Sequence, residues 1–284
     1  MTLRSAAESD RDDVFALGVA EEAAWFGEAE LSAAEVGEWV DEEGGMSPGV
    51  VAVDDSGQVR GFASPGRRAA VFLADPALSS ALADELLPWL RDKRSVVELT
   101  TFAADAARVT AFERHGLRHR RSSFSMARPD SAGTLPAAAF GAGVDVARYR
   151  LGDADEAVHR LIYGDAAWAS VPGHAERNLD AWLEKERPCR SLFLACRGDR
   201  PIGWVAGRLL DSGRGYINTL AVSTNERRRG IARALLLHAF ADLQLAGARG
   251  LALDVEAQNE TALGLYRSVG LEVEREWQIY ATPA

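Results

Sequence analysis

The sequence contains only two cysteines, Cys189 and Cys196, and only five histidines among 284 residues. Two thiols this close along the chain are too few for the disulfide framework of a secreted protein, so we expect both to be reduced. The nearest pair of histidines, His115 and His119, lies among arginines that would repel a metal cation. We therefore predict a protein without a metal site.

Long apolar runs and an excess of positive charge are also missing. No run approaches the roughly 20 residues of a membrane-spanning helix, and the N-terminus lacks the apolar core of a signal peptide. These absences predict a cytoplasmic protein with no membrane partner. The formal net charge of -10 disfavours nucleic acid as a partner, because neutralising phosphates requires clustered Lys and Arg.

The length and the internal order of the chain indicate two domains. A chain of 284 residues accommodates two domains of about 140 residues each. Residues 129–143 are rich in Pro, Gly and Ala and show no periodicity, which is typical of a linker. Hairpin patterns recur on both sides of it, at residues 50–63 and 192–205. We predict a first domain at 1–128, a linker at 129–143 and a second domain at 144–284.

The C-terminal half contains a strand, a basic glycine turn, a helix and another strand, in that order. The strands are predicted at residues 216–223 and 251–255, and the helix at 230–245. A helix N-terminus presents unpaired N–H groups and a positive partial charge, and Gly230 would let a phosphate reach them. The alternative is that Gly230 merely begins the helix. Cations at this end oppose the helix dipole unless an anion lies between them, so we predict a pyrophosphate site.

Two motifs resemble those of the GCN5-related N-acetyltransferase (GNAT) family. Arg227-x-x-Gly230-x-Ala232 is similar to its pyrophosphate motif, Arg/Gln-x-x-Gly-x-Gly/Ala. After the next strand, Asn259-x-x-Ala262-x-x-x-Tyr266-x-x-x-Gly270-Leu271 resembles its Asn-x-x-Ala-x-x-x-Tyr-x-x-x-Gly-Phe signature. The resemblance implies an α/β fold with a mixed, mostly antiparallel sheet and flanking helices, in two tandem GNAT-like domains. It also implies acetyl-CoA as co-substrate.

The resemblance further implies a role for each matched residue. Tyr266 would be the general acid for the departing thiolate, although a packed aromatic side chain is the alternative. Asn259 would contact the cofactor or cap the last helix. The strand offers no carboxylate as general base, and Asp254 and Glu256 on the next strand are weak candidates. The implied acetyl-CoA-binding residues are Leu220, Ala221, Val222, Arg227, Arg228, Arg229, Gly230, Ile231, Ala232, Arg233, Asn259 and Tyr266.

The N-terminal half lacks the features that would bind acetyl-CoA. Its matching turn reads Asp75-Pro76-Ala77, without a basic residue or a glycine, and Phe112 stands where Tyr266 stands in the other half. We therefore predict a scaffold, a substrate wall or a partner surface. Its acidic residues either attract a cationic amine or form a solvated helix face. They are Glu21, Glu22, Glu28, Glu30, Glu35, Glu38, Asp41, Glu42 and Glu43.

These features predict an N-acetyltransferase that acts on a primary amine of a small molecule by direct attack on acetyl-CoA. The tandem arrangement resembles that of the mycothiol synthases. The alternative from another class is a non-catalytic acyl-CoA-binding or interaction module. Whether the chain is a monomer or a homodimer stays open at this point.

Overall fold

The computed structural model describes residues 1–27, 29, 31–67, 69–129, 133–166 and 177–283. The chain forms two compact units, Met1–Ser123 with Arg275–Ala284, and Phe124–Glu274. The domain boundaries from the sequence, 1–128 and 144–284, stay a prediction. The compact units differ from them because the last ten residues lie with the N-terminal unit. No helix in the described ranges combines the length and apolarity needed to cross a membrane.

The elements of the N-terminal half are β1 (Thr2–Ser5), α1 (Arg11–Phe26), α2 (Ala33–Glu42), β2 (Val50–Val53), β3 (Val59–Ser64), β4 (Val71–Ala74), α3 (Ser79–Lys93), β5 (Glu98–Phe102), α4 (Ala106–Arg114) and β6 (Arg118–Arg128). The first four strands form an antiparallel sheet in the order β1-β2-β3-β4. Strand β5 pairs separately and antiparallel with the C-terminal strand β12 (Glu272–Ala281). The division between the two units falls within β6.

The elements of the C-terminal unit are β7 (Asp145–Arg148), α5 (Asp155–Arg160), α6 (Leu179–Glu186), β8 (Ser191–Arg197), β9 (Arg200–Leu209), β10 (Gly215–Val222), α7 (Ile231–Leu245), β11 (Leu251–Glu256) and α8 (Glu260–Ser268). The strands lie in the order β6-β11-β10-β9-β8-β7. Strands β10 and β11 are parallel, whereas β7–β8, β8–β9 and β9–β10 are antiparallel, so the prediction of a mixed, mostly antiparallel sheet is confirmed.

Both hairpins predicted from the sequence are present. In the first, the Asp54 carboxylate accepts hydrogen bonds from the N–H groups of Ser56 (2.9 Å) and Gln58 (3.1 Å), which closes the turn. Each turn contains a glycine with a left-handed backbone, Gly57 at φ 85° and Gly198 at φ 58°. Glycine adopts this conformation without the steric cost that a Cβ brings.

Each face of the C-terminal sheet carries its own hydrophobic core. On one face, Leu236, Phe240 and Leu243 of α7 are fully buried. Helix α7 lies so close to β9 that a Cβ on Gly203 would come within 2.8 Å of Leu235. The opposite face buries aromatic side chains, among them Trp204 and the α6 residue Trp182. Full burial of such side chains contributes about 1.5–3 kcal/mol each.

The last ten residues of the chain complete the N-terminal unit. The Arg275 guanidinium forms a buried ion pair with Glu22 and lies over the Phe26 ring, 4.6 Å from its centroid. Trp277 contacts Phe102 with ring centroids 4.0 Å apart. The N-terminal unit therefore depends on residues that follow the entire C-terminal unit in sequence.

Arg275→Met should lower the free energy of unfolding of the N-terminal unit by about 3–5 kcal/mol, because the Glu22 carboxylate would remain buried without its cation. Chemical denaturation would measure the loss. The matched control is Arg214→Met, which breaks the more exposed pair with Glu274 and should cost less than about 1 kcal/mol. Equal losses of unfolding free energy in the two variants would contradict a special contribution of the buried Arg275–Glu22 ion pair.

Candidate active site

Strands β10 and β11 separate part of the way along their length. Their parallel pairing joins only Gly215–Ile217 to Leu251–Leu253, although β10 continues to Val222 and β11 to Glu256. The register of β10 against β9 shifts between Ile217 and Thr219, which makes Asn218 a bulge residue. A gap therefore opens between the two strands beyond Ile217.

The pairing of β10 with β9 determines which backbone groups face this gap. The Ser223 N–H donates to the Ile202 carbonyl at 3.0 Å. Because bonded and non-bonded pairs alternate in an antiparallel ladder, the backbone groups of Leu220 and Val222 point away from β9, toward the gap. The Val222 carbonyl accepts a hydrogen bond from Arg227 Nε at 3.4 Å. The N–H groups of Leu220 and Val222 and the Leu220 carbonyl line the gap.

The turn before α7 has the backbone of an anion-binding site. Arg228 and Gly230 both adopt left-handed conformations, with φ values of 62° and 80°. No side chain of the described residues caps the helix, and its first internal bond runs from Ala234 N–H to the Gly230 carbonyl at 3.0 Å. A Cβ built on Gly230 meets no atom within 4 Å. The amides of residues 231–233 thus lie at the positive end of the helix dipole without a capping side chain among the described residues.

The arginines of this turn have different partners. Glu226 accepts hydrogen bonds from Arg197 (3.1 Å) and Arg229 (3.0 Å), and the Arg197 contact is the main reason that its pKa lies below the usual range. Arg227 Nη2 donates to the Ala166 carbonyl at 2.6 Å. Arg228 and Arg233 pair with none of the residues that the structure describes. These two cations are the ones available to an external anion.

Tyr266 lies on α8 and borders the same hydrophobic core as Leu220, Val222 and Ala232. The structure therefore brings together residues from all three segments that the sequence assigned to acetyl-CoA. Burial raises the pKa of Tyr266 to about 12, so its hydroxyl is protonated at neutral pH. The Asn259 side chain accepts a hydrogen bond from Ala262 N–H at 3.2 Å and caps α8. Its contact with a cofactor stays a prediction.

One carboxylate near the gap could not be found from the sequence. Glu186, the last residue of α6, is 0% exposed and accepts a hydrogen bond from the Thr219 hydroxyl at 2.6 Å. Of the two carboxylates considered from the sequence, Asp254 is exposed and hydrogen-bonds Tyr216, whereas Glu256 is buried. Glu186 is separated from Thr219 by 33 residues, and no motif distinguishes it from its charged neighbours in α6.

The N-terminal unit has the same backbone arrangement, but its own side chains occupy it. Asp75 N–H donates to the Arg60 carbonyl at 2.7 Å, just as Ser223 does to Ile202, so Ala74 matches Val222. The Ala74 N–H donates to the Glu21 carboxylate at 2.5 Å. Arg108, which is 1% exposed, donates to the same carboxylate at 2.7 and 3.1 Å.

Arg108 stands where the C-terminal motif has Ala262. Its helix α4 is capped by Asp105, whose carboxylate accepts a hydrogen bond from the Arg108 N–H as the Asn259 side chain accepts one from the Ala262 N–H. Phe112, which stands at the Tyr266 position of the motif, is also fully buried in this unit and packs against Phe72. The Glu21–Arg108 ion pair thus occupies the strand edge that is open in the C-terminal unit.

The hypothesis that the acidic residues of this half attract an amine is wrong for Glu21, Glu22 and Glu43. Glu21 and Glu22 form buried ion pairs, and Glu43 accepts hydrogen bonds from backbone N–H groups, including that of Arg67 at 3.1 Å. Carboxylates held in this way are not presented to a ligand. Glu28 and Glu30 lie outside the described residues.

The structure describes two cysteines, both unpaired, and the described ranges hold no group of three or more His, Cys, Asp or Glu side chains able to bind a metal. Burial raises the pKa of both Cys189 and Cys196. A thiolate nucleophile is disfavoured at either position.

Comparison with known proteins identifies the architecture. The model of the Acetyltransferase (GNAT) family matches residues 157–271, which confirms the resemblance inferred from the motifs. No curated protein matches the chain in sequence.

Solved structures match the chain over its whole length. A GCN5-related N-acetyltransferase from Sphaerobacter thermophilus is 24% identical, with a TM-score of 0.79 over 99% of this chain and 95% of that chain. A tandem GNAT protein from the clavulanic acid biosynthesis pathway is 14% identical, with a TM-score of 0.69 over 100% of both chains. A GNAT-family acetyltransferase from Colwellia psychrerythraea is 14% identical, with a TM-score of 0.67 over 99% of both. These likenesses concern the fold, and they confirm two tandem GNAT-like domains.

Proposed function

We propose that the chain transfers an acetyl group from acetyl-CoA to a primary amine of a small molecule, and the match of residues 157–271 to the GNAT family model supports this proposal. The observation that carries the proposal is the open edge of β10 beside the uncapped N-terminus of α7. The edge offers hydrogen bonds to an extended amide chain. The helix end offers backbone N–H groups to phosphates.

The residues of the turn and the strand edge fit acetyl-CoA. The amides of residues 229–233, with the cations Arg228 and Arg233, would hold its pyrophosphate. The Leu220 and Val222 backbone groups would bind the amide-containing arm. Acetyl-CoA supplies an activated thioester, and a backbone N–H at this edge would polarise its carbonyl. Direct attack by the amine is favoured because burial suppresses both cysteine thiolates.

Tyr266 is suited to stabilise the departing sulfur. A thiol titrates near 8.5, and the pKa of Tyr266 is raised to about 12. The Tyr266 hydroxyl therefore keeps its proton at neutral and mildly alkaline pH and donates a hydrogen bond to the departing thiolate. This stabilisation requires no complete proton transfer. A mycothiol-synthase-like acceptor stays a prediction, since no described residue identifies the acceptor.

Release of free thiol tests the proposal. The chain would be incubated with acetyl-CoA and a panel of primary amines: an amino acid, an amino sugar, a polyamine and an arylalkylamine. We expect thiol release that depends on one class of amine. Binding of acetyl-CoA without thiol release from any amine would instead support the non-catalytic binding module.

We further propose that only the C-terminal unit binds acetyl-CoA, with one molecule per chain. The Glu21–Arg108 pair supports this division, because it occupies the strand edge that the cofactor needs. The turn that follows β4 adds a second reason. There the Asp75 carboxylate accepts the Ala77 N–H at 3.0 Å, so a carboxylate of the protein already binds the amide of that turn.

The Arg108 position yields a reciprocal test. Ala262→Arg would place in the C-terminal unit the side chain that fills the N-terminal one. We expect the affinity for acetyl-CoA to fall at least about tenfold, equivalent to about 1.4 kcal/mol. Calorimetry would measure affinity and stoichiometry together. The control is Thr261→Arg at the exposed neighbouring position, which should retain one site of unchanged affinity. Two equivalent sites in the native chain would refute the division.

A further inference from the structure

The mechanism above gives no role to the buried carboxyl group of Glu186. Glu186 ends α6, and this end of the helix contacts two consecutive residues of β10. Thr219 donates from its hydroxyl to Glu186 Oε1 at 2.6 Å, and Asn218 Nδ2 approaches the Lys185 carbonyl at 3.4 Å. Both contacts occur at the bulge where β10 leaves β11. A buried carboxyl group is thereby linked to the start of the gap.

The position of Thr219 relates this contact to the reacting atoms. Thr219 immediately precedes Leu220, whose backbone lines the gap. Successive side chains of a strand point to opposite faces, so the Thr219 side chain lies on the same face as that of Ala221. Ala221 belongs to the core that contains Trp182 and Trp204. This face is opposite to α7. Thr219 is only 3% exposed, so an acceptor has to enter the gap beside Leu220 to reach its hydroxyl.

The surroundings of Glu186 favour proton uptake. Desolvation is the largest effect and raises the pKa of Glu186. The Thr219 hydroxyl, the Cys189 thiol, Lys185 and Arg177 act in the opposite direction but do not outweigh it. The Cys189 Sγ lies 3.5 Å from Glu186 Oε2, and burial keeps that thiol protonated. A carboxylate in this environment binds a proton more readily than one at the surface.

We propose that Thr219 and Glu186 act together as the proton acceptor of the acyl transfer, a role that rests on the function proposed above. As the C–N bond forms and the C–S bond breaks, a proton leaves the amine nitrogen for Thr219 Oγ1. The hydroxyl proton of Thr219 passes to Glu186 Oε1. The thiolate departs with a hydrogen bond from Tyr266 and takes a proton from solvent, and Glu186 returns its proton to solvent. Glu186 is thus a positioning residue that acts through Thr219.

Glu186→Gln tests the role with little change in shape, since the amide oxygen still accepts from Thr219. We expect kcat/KM to fall about 100-fold and the acidic limb of its pH profile, where Glu186 becomes protonated, to disappear. Thr219→Val should reproduce the loss, whereas Thr219→Ser should retain most of the native rate. The double variant, Glu186→Gln with Thr219→Val, should be no slower than either single variant. Asp254→Asn is the matched carboxylate control and should keep the acidic limb.

A stability measurement checks the same carboxyl group without turnover. Its pKa is raised in the folded protein, so above the unfolded value of about 4.3 the native state binds more protons than the unfolded state. Native stability then falls as pH rises through the window from that value to the raised pKa. Glu186→Gln removes this dependence, so the denaturation midpoint of the variant should rise relative to that of the native chain as the pH increases above about 4.3.

The outcomes separate the two proposals. An active native chain whose acidic limb survives in Glu186→Gln, or a midpoint difference that is constant with pH, would overturn the role of Glu186 alone. A native chain that binds acetyl-CoA yet acetylates no amine would overturn the proposed function, and the Glu186 role with it.

Discussion

Gly230→Val should abolish acetyl-CoA binding while the protein stays folded. The space beside Gly230 contains no protein atom within 4 Å, so the added side chain would meet the phosphates and not the protein. The three amides that follow Gly230 could then no longer approach an anion. Calorimetric titration of acetyl-CoA would measure the loss, and the fold would be checked by circular dichroism.

The chain contains a matched control for the backbone strain of this substitution. Gly116, which follows α4 in the N-terminal unit, also has φ 80°, and a Cβ there likewise meets nothing within 4 Å. A left-handed conformation costs an L-residue about 1–2 kcal/mol, so both variants should lose similar stability. Only Gly230→Val should lose binding. Loss of binding in Gly116→Val as well would trace the effect to general destabilisation.

Tyr266→Phe should lower kcat by roughly 10- to 1000-fold with little change in acetyl-CoA affinity. The substitution removes only a hydroxyl from a ring that packs against the core of the C-terminal unit, so the fold should be retained. Single-turnover rates with acetyl-CoA and the best amine are the required measurement, because slow product release would hide a chemical effect at steady state.

The control for this variant is Tyr280→Phe, in the N-terminal unit, where burial also raises the pKa of a tyrosine. Its kcat should match that of the native chain. The pKa of about 12 for Tyr266 adds a second expectation, that its ionisation causes no loss of rate between about pH 8 and 10. An unchanged single-turnover rate in Tyr266→Phe would remove the hydroxyl from the mechanism.

Much of the C-terminal unit could be predicted from local sequence. The strand at 216–223, the helix at 230–245 and the strand at 251–255 are observed as β10 (Gly215–Val222), α7 (Ile231–Leu245) and β11 (Leu251–Glu256). The hydrophobic periodicity of the sequence determines these helices and strands, and the conformation of a glycine determines the turn. Both features involve residues that are close together in the sequence. The arginines were less predictable, because Arg227 bonds the Ala166 carbonyl and Arg229 bonds Glu226.

By itself, the sequence determined the tandem fold, the glycine turn before α7 and the contrast between Tyr266 and Phe112. Only the tertiary structure decided that the final residues complete the N-terminal unit, that Glu21 meets Arg108, and that Glu186 meets Thr219. The partners in these contacts are 253, 87 and 33 residues apart, respectively. Periodicity and motifs describe neighbours along the chain, whereas the environment of a buried charge is set by whichever distant segment folds against it.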